Sequence, residues 1–282
     1  MINRWIGIYK EKLMGSIGFV GGGNMAEALI KGVIAAGIYS PEHVFVSDIS
    51  KPRLAYVSQR YGASAAESNA DLAGKVDVLV LSVKPQNMPQ ALDSIKDALS
   101  QDITIVSIAA GVKLRTIARV LGDVAIVRVM PNTPALIGQG ASALYANEKA
   151  RPAIEQIKQL LSAVGIAVVV QTEDMIDAVT AVSGSGPAYY FLLMEQMIKA
   201  AVQLGLSEDV AKDLVLQTAR GAALLAVEGN KVGESPQELR RKVTSPGGTT
   251  EAALKIFSKG DFGPLVSAAI NSAYQRSRQL SG

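Results

Sequence analysis

An apolar run at residues 16–20 passes straight into Gly21-Gly22-Gly23-Asn24-Met25-Ala26, and a helix-spaced pattern over residues 25–36 follows at once. A strand that becomes a helix within so few residues needs a turn made without side chains. Gly21 permits the tight turn, Gly23 lets an anionic group approach the backbone, and Ala26 allows the helix to pack closely on the strand. The first amides of such a helix have no partner within it and stand at its positive dipole end. In this strand–loop–helix setting G-x-G-x-x-A reads as a dinucleotide fingerprint. The glycine loop with the helix start behind it is thus a candidate cradle for a pyrophosphate.

The same alternation continues. Val- and Ile-rich runs at 44–47, 78–82, 103–108 and 125–130 are strand-sized, and helical patterns at 51–61, 88–99 and 114–121 lie between them. Runs apolar on both faces, alternating with helices, predict an α/β fold: a Rossmann-like doubly wound parallel sheet. Runs at 141–145 and 167–170, separated by a helical 152–164, extend that sheet. Beyond Thr172 the pattern is helical throughout, at 173–182, 186–204, 207–228, 236–243, 250–257 and 263–280. Ser235-Pro236-Gln237-Glu238 is a capping box, and Gly205 and Gly229 stand where helix C-caps belong. The chain therefore divides into an N-terminal extension (1–13, with Met14 a possible functional start), a dinucleotide-binding domain (14–172) and an all-helical dimerisation domain (173–282). The second is so rich in Ala and Leu that its helices should pack on several neighbours, including those of a second subunit.

Composition closes off other chemistries. There is no cysteine and a single histidine, His43, which removes thiolate nucleophiles, iron–sulfur clusters and multi-histidine metal sites, so no metal is expected. A net charge of +3 without a basic stripe argues against nucleic acid, and Arg240-Arg241-Lys242 reads as a solvated helix face. No apolar run approaches the roughly 20 residues of a membrane span, and residues 1–13 lack a signal core, so a cytoplasmic protein is expected.

In an open parallel sheet ligands lie outside the carboxyl ends of the strands. Ser82-Val83-Lys84-Pro85 and Ile108-Ala109-Ala110 end two strands and are candidate cofactor contacts, and Met130-Pro131-Asn132-Thr133-Pro134 ends a further strand with two prolines that stiffen the turn. At the end of the second strand two signals conflict. Asp48 suits a ribose 2′-hydroxyl and hence NAD, whereas Ser47, Ser50, Lys51 or Arg53 could hold the 2′-phosphate of NADP. Further on, Val182-Ser183-Gly184-Ser185-Gly186-Pro187-Ala188-Tyr189 and Val243-Thr244-Ser245-Pro246-Gly247-Gly248-Thr249-Thr250 each precede a helix. Small residues and open amides at a helix start suit a carboxylate as well as a phosphate, and equally an ordinary cap.

The glycine loop, SVKP, SIAAGV, MPNTP, VSGSGPAY and VTSPGGTT stand in the order and at the spacing found in pyrroline-5-carboxylate reductases, which this chain resembles from Met14 to its end. The resemblance implies reduction of 1-pyrroline-5-carboxylate to L-proline with NADPH or NADH, the last step of proline biosynthesis, by a homodimer that can assemble into a decamer. It implies that Val20 to Met25 cradle the pyrophosphate, with Ser47, Asp48 and Asn69 near the adenosine portion. It also implies that Ser82 to Pro85 and Ile108 to Ala110 flank the ribose and nicotinamide. Glu173, Ser245, Gly248, Thr249 and Thr250 would meet the substrate, the Thr250 hydroxyl facing the ring nitrogen as the catalytic group. Some relatives have serine at the position of Asp48, so the aspartate speaks against a strong NADP preference.

The chemistry agrees with the residues. Reducing a ketone demands an acid for the developing alkoxide. An imine nitrogen takes its proton from water, and the iminium then accepts hydride with no side-chain acid. Two other readings keep the fold. A β-hydroxyacid dehydrogenase relies on a lysine and an asparagine one helical turn apart after a glycine-rich loop, and no asparagine follows Lys199 four residues on. A non-catalytic dinucleotide-binding protein would have little use for VTSPGGTT.

Overall fold

The computed structural model describes residues 15–281, so the expected extension at 1–13 lies outside the described residues. In chain order the elements are β1 (Ile17–Val20), α1 (Asn24–Ala35), β2 (Val44–Ser47), α2 (Lys51–Tyr61), β3 (Ser64–Ala65), α3 (Asn69–Ala73) and β4 (Val78–Leu81). There follow α4 (Met88–Asp93), β5 (Thr104–Ser107), α5 (Leu114–Leu121), β6 (Ala125–Met130), β7 (Gly140–Ala146), α6 (Ile154–Ser162) and β8 (Gly165–Val169). The helical remainder is α7 (Met175–Val179), α8 (Gly186–Gln203), α9 (Glu208–Lys231), α10 (Pro236–Lys242), α11 (Thr249–Lys259) and α12 (Phe262–Ser281).

The strands form one sheet in the order β3-β2-β1-β4-β5-β6-β7-β8. Every neighbouring pair is parallel except β6 and β7, where Val127 faces Ala146 in antiparallel register. Strand order reverses at β1, which pairs with β2 on one side and β4 on the other. That switch point opens a crevice at the strands' carboxyl ends. The period-2 rule divides the core in two. Val78, Val80, Val106 and Val127 join Leu29, Val33 and Leu160 on one face of the sheet. Leu79, Leu81, Ile105 and Ile126 join Leu72, Leu92 and Ile117 on the other. Gly18 is small because Leu72 packs against it, where an added Cβ would meet the Leu72 methyl at 2.7 Å.

By packing, the described chain forms two units: residues 15–185 with 273–281, and Gly186–Ser272. By packing the division falls at Ser185, while the change from alternating strands and helices to helices alone lies at Thr172. The helical segment after Thr172 pairs first with the sheet: Asn132 at the end of β6 donates to the Ser183 carbonyl at 3.1 Å. The last turns of α12 belong to the first unit as well.

Several helical readings change. The helix expected over 88–99 stops at Asp93, where the Ser94 hydroxyl takes the Ala91 carbonyl at 2.7 Å and diverts the chain into turns. Gly229 is no cap. Helix α9 runs on to Lys231, and it is Gly233 that takes the left-handed conformation, with φ of 80°. Gly229 is small because the chain folds back over it: an added Cβ would meet Leu239 at 3.4 Å. The expected helix 173–182 is α7 followed by a π-helical turn over Thr180–Gly184. Two short elements, β3 and α3, were beyond the reach of periodicity.

In the second unit Ala211 and Val215 of α9 are buried, but most of the large apolar residues lie outside. Only Gly186 is buried in α8, whereas Phe191 is 61% and Leu192 58% exposed. On α9 Leu224 and Leu225 are exposed in the same way. None of the described helices is long and apolar enough to cross a membrane.

Candidate functional site

The glycine loop is pinned from both sides of the crevice. Gly21 takes φ of 96°, a conformation L side chains avoid. Its N–H donates to the Ser47 carbonyl at the end of β2, at 2.7 Å. From the end of β4 the Ser82 hydroxyl donates to the Gly21 and Val20 carbonyls at 2.7 and 3.0 Å. A Cβ on Gly21 would stand 2.9 Å from the Ser82 carbonyl oxygen, so only glycine fits. The Gly22 N–H donates to Asp48 at 2.7 Å, and the other Asp48 oxygen accepts from the Ser50 N–H at 2.8 Å. Gly23 differs from both: a Cβ there would meet nothing within 4 Å. Gly23 is the N-cap of α1, which has no side-chain cap, so the amides of Asn24 and Met25 face that space without an acceptor. This cradle fits a dinucleotide pyrophosphate.

Beside it Ser47 and Asn69 are brought together, the Ser47 hydroxyl donating to Asn69 at 2.7 Å and Asn69 donating to Ser94 at 2.9 Å. Lys84 and Pro85 are exposed at the start of a short 3-10 turn that follows β4. The Ile108 N–H donates to the Leu81 carbonyl, so 108–110 leaves β5 beside Ser82 and Val83. Ala109 is buried and Ala110 exposed. His43 is exposed in a 3-10 turn before β2, at the sheet's amino end and away from the crevice.

Arg53 was named only as a possible phosphate ligand, and the structure gives it other partners. Its guanidinium donates to the Gly22 carbonyl and to Glu27, and lies 5.1 Å from the Tyr56 ring centre. Glu27 also accepts from Tyr61 at 2.7 Å and Tyr56 at 3.1 Å. Burial would raise the Glu27 pKa, but the bonds from Tyr61 and Arg53 outweigh it and hold the carboxyl below its usual range.

Glu173 lies half-buried in the first unit, and one of its oxygens accepts from the Leu114 N–H at 2.7 Å and from Arg128 at 3.1 Å. It thereby caps α5, the helix that follows 108–110. Arg128, 1% exposed, also reaches Asp177 at 3.4 Å, and Asp177 accepts from Ser277 and Ser281 at 2.8 Å each. This buried ion cluster was missed. Its one signal was a lone arginine inside the apolar run Ala-Ile-Val-Arg-Val-Met.

The two small-residue loops part company. The first is no open helix start: it forms the π-helical turn, and the Ser185 N–H is spent on the Thr180 carbonyl at 2.8 Å. The second is one. Gly247 turns the chain with φ of 72°, Gly248 is the N-cap of α11, and no side chain caps it. Thr249 and Thr250 are its first two residues, so neither amide has an intrahelical acceptor. Thr250 is half-buried, and among the described residues its hydroxyl has no hydrogen-bond partner. Ser245 is exposed, and its carbonyl accepts from the Gly248 N–H at 3.0 Å.

Residues 173–280 match the family description "Pyrroline-5-carboxylate reductase dimerisation", and 16–111 match "NADP oxidoreductase coenzyme F420-dependent". The chain is 49% identical to the pyrroline-5-carboxylate reductase of Pseudomonas aeruginosa, over 94% of this chain and 96% of that one. It is 38% identical to the Escherichia coli protein of that name, over 94% and 98%. The solved pyrroline-5-carboxylate reductase of Coxiella burnetii superposes with a TM-score of 0.89 at 40% identity, over 95% of this chain and 99% of the other. The Plasmodium falciparum pyrroline carboxylate reductase, solved with NADP bound, gives 0.84 at 31% identity over the same shares. With matches of this identity along nearly its whole length, the chain belongs to the pyrroline-5-carboxylate reductase family.

Proposed function

We propose that the protein reduces 1-pyrroline-5-carboxylate to L-proline with NADPH or NADH, as the last step of proline biosynthesis in the cytoplasm. The observation that carries this reading is the start of α11, where two unspent amides stand beside an unspent threonine hydroxyl. The amides of Thr249 and Thr250, at the positive end of an 11-residue helix, hold the substrate carboxylate, with Ser245 beside them and Gly248 leaving room. The Thr250 hydroxyl faces the ring nitrogen. In the first unit, Val20 to Met25 bind the pyrophosphate, Ser47, Asp48 and Asn69 the adenosine portion, and Ser82 to Pro85 with Ile108 to Ala110 the nicotinamide half.

The reduced nicotinamide supplies the hydride. The imine nitrogen takes a proton from water, the carbon of the C=N bond accepts the hydride, and the product nitrogen remains an amine. No side-chain acid has to be regenerated, in keeping with a site of hydroxyls and amides. The protein's contribution is orientation and exclusion of water. One Glu173 oxygen is committed to Leu114 and Arg128, and the other is the one left to meet the substrate. The working form is a homodimer, with a decamer as its further assembly. The exposed apolar residues of α8 and α9 are what a second copy covers.

Stopped assays with the imine and each reduced cofactor test the activity, and light scattering at micromolar protein tests the assembly. Turnover of the imine by a dimer or larger species is expected. A chain that binds dinucleotide but leaves the imine unreduced would overturn the reading in favour of a non-catalytic binder.

A further inference from the structure

The end of β2 carries two cations that could meet a 2′-phosphate, Lys51 and Arg53, and they stand in different positions. Lys51 is exposed and has no ion pair among the described residues. Arg53 is committed: its Nε serves the Gly22 carbonyl, one terminal nitrogen serves Glu27, and Tyr56 covers its face. Glu27 is committed in turn, its second oxygen accepting from both Tyr56 and Tyr61. The carboxylate is thus built into place by two tyrosines and holds the guanidinium within the glycine loop. Glu27 and Asp48 stand at this corner with Lys51, Arg53 and Arg60, the last lying against the Tyr56 and Tyr61 rings and donating to the Tyr61 hydroxyl at 3.2 Å. A 2′-phosphate, bringing about −1.5 to −2 charge at neutral pH, would meet a corner in which the Arg53 guanidinium is already occupied by Glu27.

We propose that Glu27 is a specificity-determining residue of the dinucleotide site, withholding Arg53 from the 2′ position and so keeping NADH competitive with NADPH. The inference rests on the proposed dinucleotide site and names a residue from α1, outside the strand end where cofactor choice is ordinarily read. The pair has a second consequence. Gly22 is held on both sides, by Asp48 at its N–H and by Arg53 at its carbonyl, so Arg53 shapes the loop for either cofactor. Discrimination must therefore be read as a ratio, because absolute affinity mixes the two effects.

The test is calorimetric titration of the intact, cofactor-free protein with 2′,5′-ADP and with 5′-AMP, which differ by the phosphate in question. Glu27→Gln keeps the size and an acceptor for the tyrosines while deleting the charge. It should raise the affinity for 2′,5′-ADP relative to 5′-AMP by about tenfold, the low end of what a hydrogen bond to a charged group is worth. The NADPH to NADH ratio of kcat/KM should move with it. A ratio that stays within about twofold of the parent overturns the proposal, since that is below what one released charge provides. Arg53→Met supplies an independent arm should Glu27→Gln fold poorly. With Glu27 in place Arg53 contributes little to the phosphate, so this variant should lower both affinities together. In the double variant the gain from Glu27→Gln should vanish. Selective loss of 2′,5′-ADP binding in Arg53→Met alone, by more than about fivefold, would make Arg53 a working phosphate ligand and overturn the proposal. Failure of the underlying site looks different: neither nucleotide would bind at all.

Discussion

The loop before α1 and the loop before α11 are built alike. Each ends on a glycine N-cap, each leaves amides without an intrahelical acceptor, and each ties down one glycine N–H with a carboxylate. Asp48 takes Gly22 at 2.7 Å, and Glu251 takes Gly247 at 2.9 Å. The difference is where the carboxylate comes from. Asp48 stands 26 residues away at the end of another strand, whereas Glu251 is four residues along in the helix it serves. The first loop is therefore shaped by the sheet, with Ser47, Asp48 and Ser82 closing on it from β2 and β4. The second is shaped by its own helix. An anion cradle can be made either way, but damage to the first should spread through its unit while damage to the second should stay local.

The largest effect is expected where that contrast is sharpest. Gly21→Ala forces φ of 96° on a residue with a Cβ and drives that Cβ to 2.9 Å from a backbone oxygen that cannot swing away. Left-handed strain and overpacking together should cost about 2–4 kcal/mol. Urea unfolding and nucleotide titration on one preparation should show stability and dinucleotide binding falling together. A loss below about 1 kcal/mol would mean the loop yields, and the claim that the sheet shapes it would fail.

Next comes Thr250→Val, which keeps shape and amide and deletes the hydroxyl. A hydrogen bond to a charged group is worth roughly 1.5–3 kcal/mol, or about 10–150-fold in kcat/KM. The N-cap of α11 is Gly248 and the Thr250 hydroxyl has no protein partner among the described residues, so the melting temperature should not move. If the bond forms mainly in the transition state, kcat falls with kcat/KM while KM stays. A variant that melts earlier yet turns over the imine normally would make Thr250 a structural residue.

What could be read beforehand follows the same local-versus-distant division. Bounds such as Lys51–Tyr61 and Leu114–Leu121 came directly from periodicity and caps, because the causes lie within the element. The placement of Thr250 in the first turn of α11 was legible for that reason. The clamp on Gly22 was not, since Asp48 and Arg53 act across the fold and Asp48 invited a reading as a ribose ligand alone. Nor was the Arg128 cluster, whose partners lie 45 to 153 residues away. The Ser-Gly segment at 183–186 looked like the loop before α11. It became a π-helical turn because Met130 and Asn132, at the end of β6, pack and bond against it.

The smallest effect should come from Gly247→Ala, the counterpart of Gly21→Ala. The two glycines share the left-handed sign, φ being 72° here. They do not share surroundings, because a Cβ on Gly247 would meet nothing within 4 Å. Strain then acts alone, at about 1 kcal/mol, which corresponds to a fall of roughly 2–4 °C in melting temperature. Dinucleotide binding should be untouched, since no part of the first loop depends on Gly247. KM for the imine should rise no more than a few-fold: 1 kcal/mol of strain is worth about fivefold at most, and the amides of Thr249 and Thr250 are fixed by α11 itself. Calorimetric melting beside steady-state kinetics decides between the two constructions. If Gly247→Ala destabilises as strongly as Gly21→Ala, or weakens nucleotide binding, the second loop is held by distant parts of the chain and the distinction between the loops is lost.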